Sequence, residues 1–347
     1  MFGGACPLPL SDYPTVQLAH GGGGRLSQIL VEQLFGKAFS NPTLEEYHDG
    51  AILEAADGRL AFSTDSFVVR PLFFPGGSIG SLAVHGTVND VAMCGARPLA
   101  LSAGYILEEG FPMADLWRIV EAMRDAAIAA GVSIVTGDTK VVDRGKGDGV
   151  YINTTGIGVI RPGVEISPRR ARPGDRILLS GRIAEHGIAI MSVREGLEFE
   201  TRLVSDSVAV SPLVDALLTR YPEQTHVLRD PTRGGVASAL NEIASQARAG
   251  MRIEEGSIPL AEEVRGACEI LGFDPLYVAN EGKCLAIVAP EIAAAAVEIW
   301  RAHPLGREAA DIGEVVEEHP GRVFLRSTIG GMRVVDMLSG EQLPRIC

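Results

Sequence analysis

Two periodicities alternate along this chain. Residues 26–35 form an amphipathic run behind a glycine tract, Gly21, Gly22, Gly23 and Gly24. Residues 60–63 read as a strand running into Thr64, Asp65 and Ser66, and residues 78–94 as a helix closed by Gly95. Residues 98–106 are apolar and strand-like. Leu116, Ile119, Val120, Met123 and Ala127 recur at helical spacing, with Gly131 as the expected stop. A short β-type run at 133–136 ends in Gly137-Asp138-Thr139-Lys140, and 150–160 reads as another strand.

Residues 161–174 carry three prolines and two glycines among basic residues, the composition of a domain boundary. Beyond it, 176–179, 285–289 and 312–316 read as strands. Val236, Leu240, Ile243 and Ala247 share one helical face, and 292–303 reads as a further helix. Two β-rich pieces, 323–325 and 332–335, lead into a polar tail. Strands and helices mix without strict βαβ alternation, so the expected class is α+β layers rather than a doubly wound parallel sheet. The expected division is a leading segment at 1–40, domains at 41–162 and 172–319, and a tail at 320–347.

Composition narrows the function. The chain has 347 residues, enough for two cores, and a net charge of -13. That charge argues against a nucleic-acid partner, which needs clustered Lys and Arg. It leaves nucleotides open, because backbone N–H groups and magnesium can hold a triphosphate. The five cysteines, Cys6, Cys94, Cys268, Cys284 and Cys347, form no C-x-x-C pair, which argues against a disulfide framework or a zinc site. Cys94, Cys268 and Cys284 have apolar neighbours and are expected in the core; Cys6 and Cys347 lie near the ends. Neither a signal peptide nor a membrane-length apolar run is read, so a reducing cytoplasm is the expected compartment.

Four acidic segments carry candidate chemistry. They centre on Asp65, on Asn89-Asp90, on Gly137-Asp138-Thr139-Lys140 and on Asp230 ahead of Gly234-Gly235. Each sets an aspartate beside small or hydroxyl residues at the expected end of an element. Such carboxylates suit magnesium, and they serve equally as helix caps or turn residues. Lys140 follows Asp138 by two residues, so in a strand the two share a face, as a phosphate partner or as a surface ion pair. Glu281, in Asn280-Glu281-Gly282-Lys283, is a candidate general base if buried and a solvated turn residue if not. The glycine tract fits neither the P-loop nor the dinucleotide-binding pattern.

The ordered set of segments resembles the PurM-like ATPases of the aminoimidazole ribonucleotide synthetase type. Within them it is most similar to the carbamoyl dehydratases of [NiFe]-hydrogenase maturation. The likeness rests on Gly21 to Gly24, Ser63 to Phe67, Phe73 to Gly77, Gly86 to Asp90, Val135 to Val142, Asp230 to Gly235, Asn280 to Lys283 and the ending Pro344-Arg345-Ile346-Cys347. It begins near residue 15, so Cys6 lies outside it. The resemblance implies two PurM-like α+β domains, with the first sheet at the core of a homodimer and a flexible C-terminal tail. It implies that the carbamoyltransferase HypF loads Cys347, that ATP drives dehydration of the S-carboxamide to a thiocyanate, and that the cyanide passes to iron on a HypC–HypD scaffold.

By the same resemblance Glu281 is the proton acceptor and Lys140 stabilises a phosphorylated intermediate. Asp65, Asp90 and Asp230 carry Mg2+ and phosphate, and Asn89, Gly137, Asp138 and Thr139 join Lys140 as nucleotide contacts. His20 and Asn280 have no assigned role. The segment from Asp336 to Cys347 can stretch about 35–40 Å, enough to enter a cleft. From 320 onward four arginines face only Asp336 and Glu341, which favours docking on an acidic body. The alternatives are a small-molecule synthetase of the same superfamily, such as a selenophosphate synthetase, or a non-catalytic thiol carrier. Against the former, no cysteine stands beside the glycine tract.

Overall fold

The computed structural model describes residues 13–21, 25–46, 53, 58–196, 203–338 and 346. Cys6, Gly22, Gly23, Gly24, Pro344, Arg345 and Cys347 lie outside them. The amphipathic run expected at 26–35 forms α1 (Arg25–Leu30), a π-helical turn (Val31–Phe35) and α2 (Gly36–Ala38) in succession. Four strands make the first sheet: β1 (Arg59–Phe67), β4 (Ala96–Glu108), β5 (Ser133–Val142) and β6 (Val150–Ile160). Their order is β1-β6-β4-β5, with only the β4–β5 pair parallel. A short hairpin, β2 (Phe73–Phe74) with β3 (Gly77–Ser78), leads into α3 (Ile79–Met93).

Helix α3 starts where its chemistry predicts. The Ser78 hydroxyl accepts from the N–H groups of Gly80 and Ser81, and the Ser81 hydroxyl accepts from the Ser78 N–H, a reciprocal capping box. Its apolar residues are buried against β1, β6 and β4. Helix α4 (Met113–Ala130) packs on α3 and ends at Gly131 in the left-handed conformation, φ 69°.

The second half follows as β7 (Arg176–Leu179), α5 (Glu185–Arg194), α6 (Ser211–Arg220), β8 (Thr225–Arg229), α7 (Gly235–Ala247), β9 (Gly250–Glu254), α8 (Glu262–Leu271), β10 (Leu285–Val288), α9 (Ala293–Arg301), β11 (Ala310–Val316), β12 (Val323–Arg326) and β13 (Met332–Val335). The strands order as β13-β12-β9-β11-β7-β10-β8, antiparallel except for β12 on β9. Mostly antiparallel pairing, with a single β4–α4–β5 crossover in the first sheet and no alternating βαβ series, agrees with the α+β reading. The main apolar core runs through both halves without a break, from Leu82 and Ile119 to Ile177 and Leu240.

Two expectations are corrected. Asp65 and Asp138 lie inside β1 and β5, not at their ends. Cys94 is exposed, because it is the residue that follows α3 at its C-terminal cap, whereas Cys268 and Cys284 are buried as expected.

Candidate active site

On β1 the side chains at 61, 65 and 67 point the same way, toward α3, so Asp65 faces inward from the strand. Its Oδ1 accepts a 2.7 Å hydrogen bond from the Ser66 N–H. Asp90, one turn before the end of α3, accepts at 2.7 Å from the Ser63 hydroxyl on the same strand. Asp230 follows β8 directly and is buried. Glu281 is 3% exposed, and its Oε1 has no hydrogen-bond partner. The solvated-turn alternative for Glu281 is therefore excluded.

These four carboxyls feel one another. Burial and Asp90 push Asp230 up to about 7. Burial, then Asp230, Asp206, Asp65 and Asp90, hold the Glu281 carboxyl well above the usual range. Asp65 and Asp90 are raised too, chiefly by burial. Protons or a cation are what such a cluster lacks. Among the described residues no three His, Cys, Asp or Glu side chains gather tightly enough to hold an ion alone.

The loop bearing Glu281 is held on every side. Asp206 Oδ1 accepts from the Glu281 N–H at 3.1 Å. Gly282 passes so close to the 206 carbonyl that a Cβ there would lie 1.7 Å from its oxygen, so no other residue fits. Lys283 donates to Asp206 at 2.9 Å and to Glu185 at 3.2 Å, nine-tenths buried. Asn280 is fully buried: its Nδ2 donates to the Pro231 and Val278 carbonyls, and its Oδ1 accepts from Ala184 N–H at 2.7 Å. It thus ties the Asp230 loop, the Glu281 loop and the start of α5 together.

His186, in the first turn of α5, is also fully buried. Its Nδ1 meets the Ser205 hydroxyl at 2.7 Å and its Nε2 meets the Ile346 carbonyl oxygen at 2.7 Å. Ile346 is 2% exposed and part of the main core, so the chain's penultimate residue is packed beside this loop.

Elsewhere, Gly137, Asp138, Thr139 and Lys140 line a cavity of about 320 Å3 with His20 and Gly21. Phe35, Phe39 and Tyr105 form its apolar side, with Phe35 stacked on Tyr105 at 4.7 Å. Lys140 and Asp138 share a strand face, as the spacing predicts, and pair at 3.0 Å in the open. Burial lowers the His20 pKa, and its Nδ1 accepts from Gln17 N–H.

Two expected groupings do not form within one chain. Asp65, Thr154, Ala103 and Gly137 are successive partners across the first sheet, so the β1 and β5 edges stand about 14 Å apart. Lys140 and Glu281 are therefore not brought together. Asn89 is buried away from the cavity, and its amide is fully engaged with Val208, Val210 and Glu281 backbone groups rather than free for a nucleotide. Asp206, Glu185, His186 and Ser205 gave no signal in the sequence. Lys283 stands in the motif with Glu281, and its position two residues from a candidate base was the one available clue.

Comparison with known proteins assigns the family. The N-terminal domain of AIR synthase related proteins matches residues 47–160, and their C-terminal domain matches residues 172–326. The carbamoyl dehydratase HypE of Azotobacter vinelandii is 59% identical over 333 residues, 96% of this chain and 97% of that protein. A crystal structure of the hydrogenase maturation protein HypE in complex with ATP superposes with a TM-score of 0.93 at 51% identity, covering 96% of this chain and 100% of that one. One of a HypE–HypF complex gives 0.79 at 47% identity, covering 89% and 99%. Among the described residues no helix is long and apolar enough to cross a membrane. With this identity over nearly its whole length and both domains matched, the chain belongs to the HypE family, the carbamoyl dehydratases of hydrogenase maturation built on the AIR synthase related fold.

Proposed function

We propose that this carbamoyl dehydratase acts on its own C-terminal Cys347 in the cytoplasm, converting an S-carboxamide there to a thiocyanate at the expense of ATP. The observation that carries the reading is the burial of Ile346 beside the loop that presents Glu281. The residue after Ile346 is the thiol, Cys347.

The chemistry needs a leaving group and a base. The amide oxygen takes the γ-phosphoryl group of ATP and releases ADP. Loss of both amide protons, with cleavage of the C–O bond, then gives the nitrile and inorganic phosphate. Glu281, buried and with an Oε1 that no protein group engages, is placed to accept a proton. Asp65, Asp90 and Asp230 suit a magnesium ion that arrives with the nucleotide, and the ion would offset phosphate charge. ATP binding itself is supported by the ATP complex of the relative described above.

A homodimer supplies the missing cation. The open face of the first sheet exposes Leu60, Phe62 and Ile106, the last two at 71% and 46%, on the side where Lys140 and Asp138 point. Stacking this face on a second copy about a two-fold axis along the strands sets the β5 edge of one copy over the β1 edge of the other. Lys140 of one copy then reaches the β1 edge of its twin, the strand that carries Asp65 on its other side. Loading by HypF is supported by the HypE–HypF complex of a relative, and transfer of the cyanide to a HypC–HypD scaffold completes the proposed sequence.

Replacing Glu281 with Gln tests the base. Carbamoylated E281Q given ATP should accumulate at the carboxamide stage, read by mass on the C-terminal peptide. Conversion at the wild-type rate would remove Glu281 from the role.

A further inference from the structure

We infer that His186 is the receptor that seats the chain's own C-terminal segment for reaction, a positioning residue acting through the carbonyl oxygen of Ile346. This rests on the self-modification reading above and adds to it the group that holds the substrate-bearing arm.

Hydrogen-bond logic fixes the ring. A carbonyl oxygen only accepts, so Nε2 carries the proton and donates to Ile346 at 2.7 Å. The imidazole is neutral, because burial lowers its pKa. Its Nδ1 therefore accepts from the Ser205 hydroxyl, whose oxygen in turn accepts from the Ser207 N–H at 3.1 Å. The Ser205 N–H donates to the Pro75 carbonyl, and the Phe74 ring stands edge-on to the imidazole at 5.6 Å and 86°. From the Ser207 N–H through the Ser205 hydroxyl to His186 Nε2, the donors run toward the tail.

The receptor is coupled rigidly to the base. Ser205, which orients His186, is followed by Asp206, which accepts from the Glu281 N–H. The Gly187 N–H, beside His186, donates to the Ala279 carbonyl at 3.1 Å. Docking Ile346 on this imidazole therefore registers the end of the chain against the Glu281 loop through two short paths that combine covalent and hydrogen bonds. The drive to dock follows from burial. His186 is 0% exposed, so when Ile346 leaves, its Nε2–H loses its acceptor in a pocket that must admit water or stay unsatisfied.

Full-length His186→Phe keeps the ring and removes the donor, while His186→Gln restores a donor. Cys347 in the uncarbamoylated protein is alkylated with iodoacetamide, the rate being read on the C-terminal peptide. The His186→Phe rate should rise about five- to tenfold, the equivalent of one lost hydrogen bond, and His186→Gln should fall back toward wild type. Dehydration of carbamoylated His186→Phe should slow about tenfold with ATP affinity unchanged, which a merely structural lesion would not give. Equal alkylation rates in His186→Phe and wild type would overturn the receptor. Faster alkylation with undiminished dehydration would overturn its role in the reaction. Should His186→Phe fail to fold, Ser205→Ala, which frees the ring, must show the same two changes or the inference falls. If wild-type protein itself loses no water with ATP, the function reading fails, and the alkylation arm still decides the receptor.

Discussion

The side-chain oxygen of Asn89, near the end of α3, accepts a 2.7 Å hydrogen bond from the backbone N–H of Val210, 121 residues further along the chain. Its Nδ2 donates to the Val208 carbonyl at 3.0 Å and to the Glu281 carbonyl at 3.4 Å. One buried amide thus clamps the first half of the molecule to the segment before α6 and to the loop of the candidate base. Asn89→Ala should lower unfolding free energy by about 2–3 kcal/mol, since it leaves buried backbone groups unpaired. Urea unfolding measures this, and a loss below about 0.5 kcal/mol would refute the clamp.

Asp230 makes stability depend on pH. Its folded-state value, about 7, lies above the ordinary 3.8, so its stabilising effect is complete below about pH 4 and is lost as pH rises through 7. Between about pH 5.5 and 7.5 the loss amounts to about 2 kcal/mol. Without nucleotide the protein should therefore gain stability on mild acidification, and Asp230→Asn should flatten the curve. Thermal unfolding across that range checks the slope. A wild-type curve that is flat, or that rises with pH to the same degree in both proteins, contradicts the shift.

Much of the scaffold was legible because local chemistry agrees with burial. Ser78 begins α3 and Gly95 follows its cap; Gly131 stops α4; β6 runs over the expected residues 150–160. The strand around Asp65 was cut short for a physical reason. Ser63 and Asp65 occupy inward positions that border the acidic cluster, so polar residues stand where alternation demands apolar ones, and the period-two signal fades. In β5 the alternation fails differently, because the adjacent Gly137 and Asp138 are both exposed. The convergence of Asp65, Asp90, Asp230 and Glu281 is a product of tertiary contacts between distant segments, and no spacing encodes it. The resemblance makes Asn89 a nucleotide contact, and no spacing reveals that its amide also bonds the backbone of Val208, Val210 and Glu281 in the other half of the chain.

The separation of Lys140 from Glu281 gives a test of composite sites. Lys140→Ala and Glu281→Gln homodimers should each be inactive. Allowed to exchange subunits, they should recover about a quarter of wild-type activity, because half the dimers are mixed and each mixed dimer holds one intact site. No recovery after proven exchange would mean that Lys140 acts within its own chain or not at all. Phe62→Asp should give monomers in sedimentation, with the fold retained and dehydration lost. Persistent dimers would place the interface on another face.

The most direct test is the mass of the C-terminal peptide, ending in Cys347, before and after ATP is added to the carbamoylated protein. The expected result is loss of one water from the modified cysteine, matched by one ADP and one phosphate per chain, and no adduct at all in Cys347→Ala. A carboxamide that survives intact while ATP is present, with loading confirmed, would reduce the chain to a carrier and contradict self-dehydration.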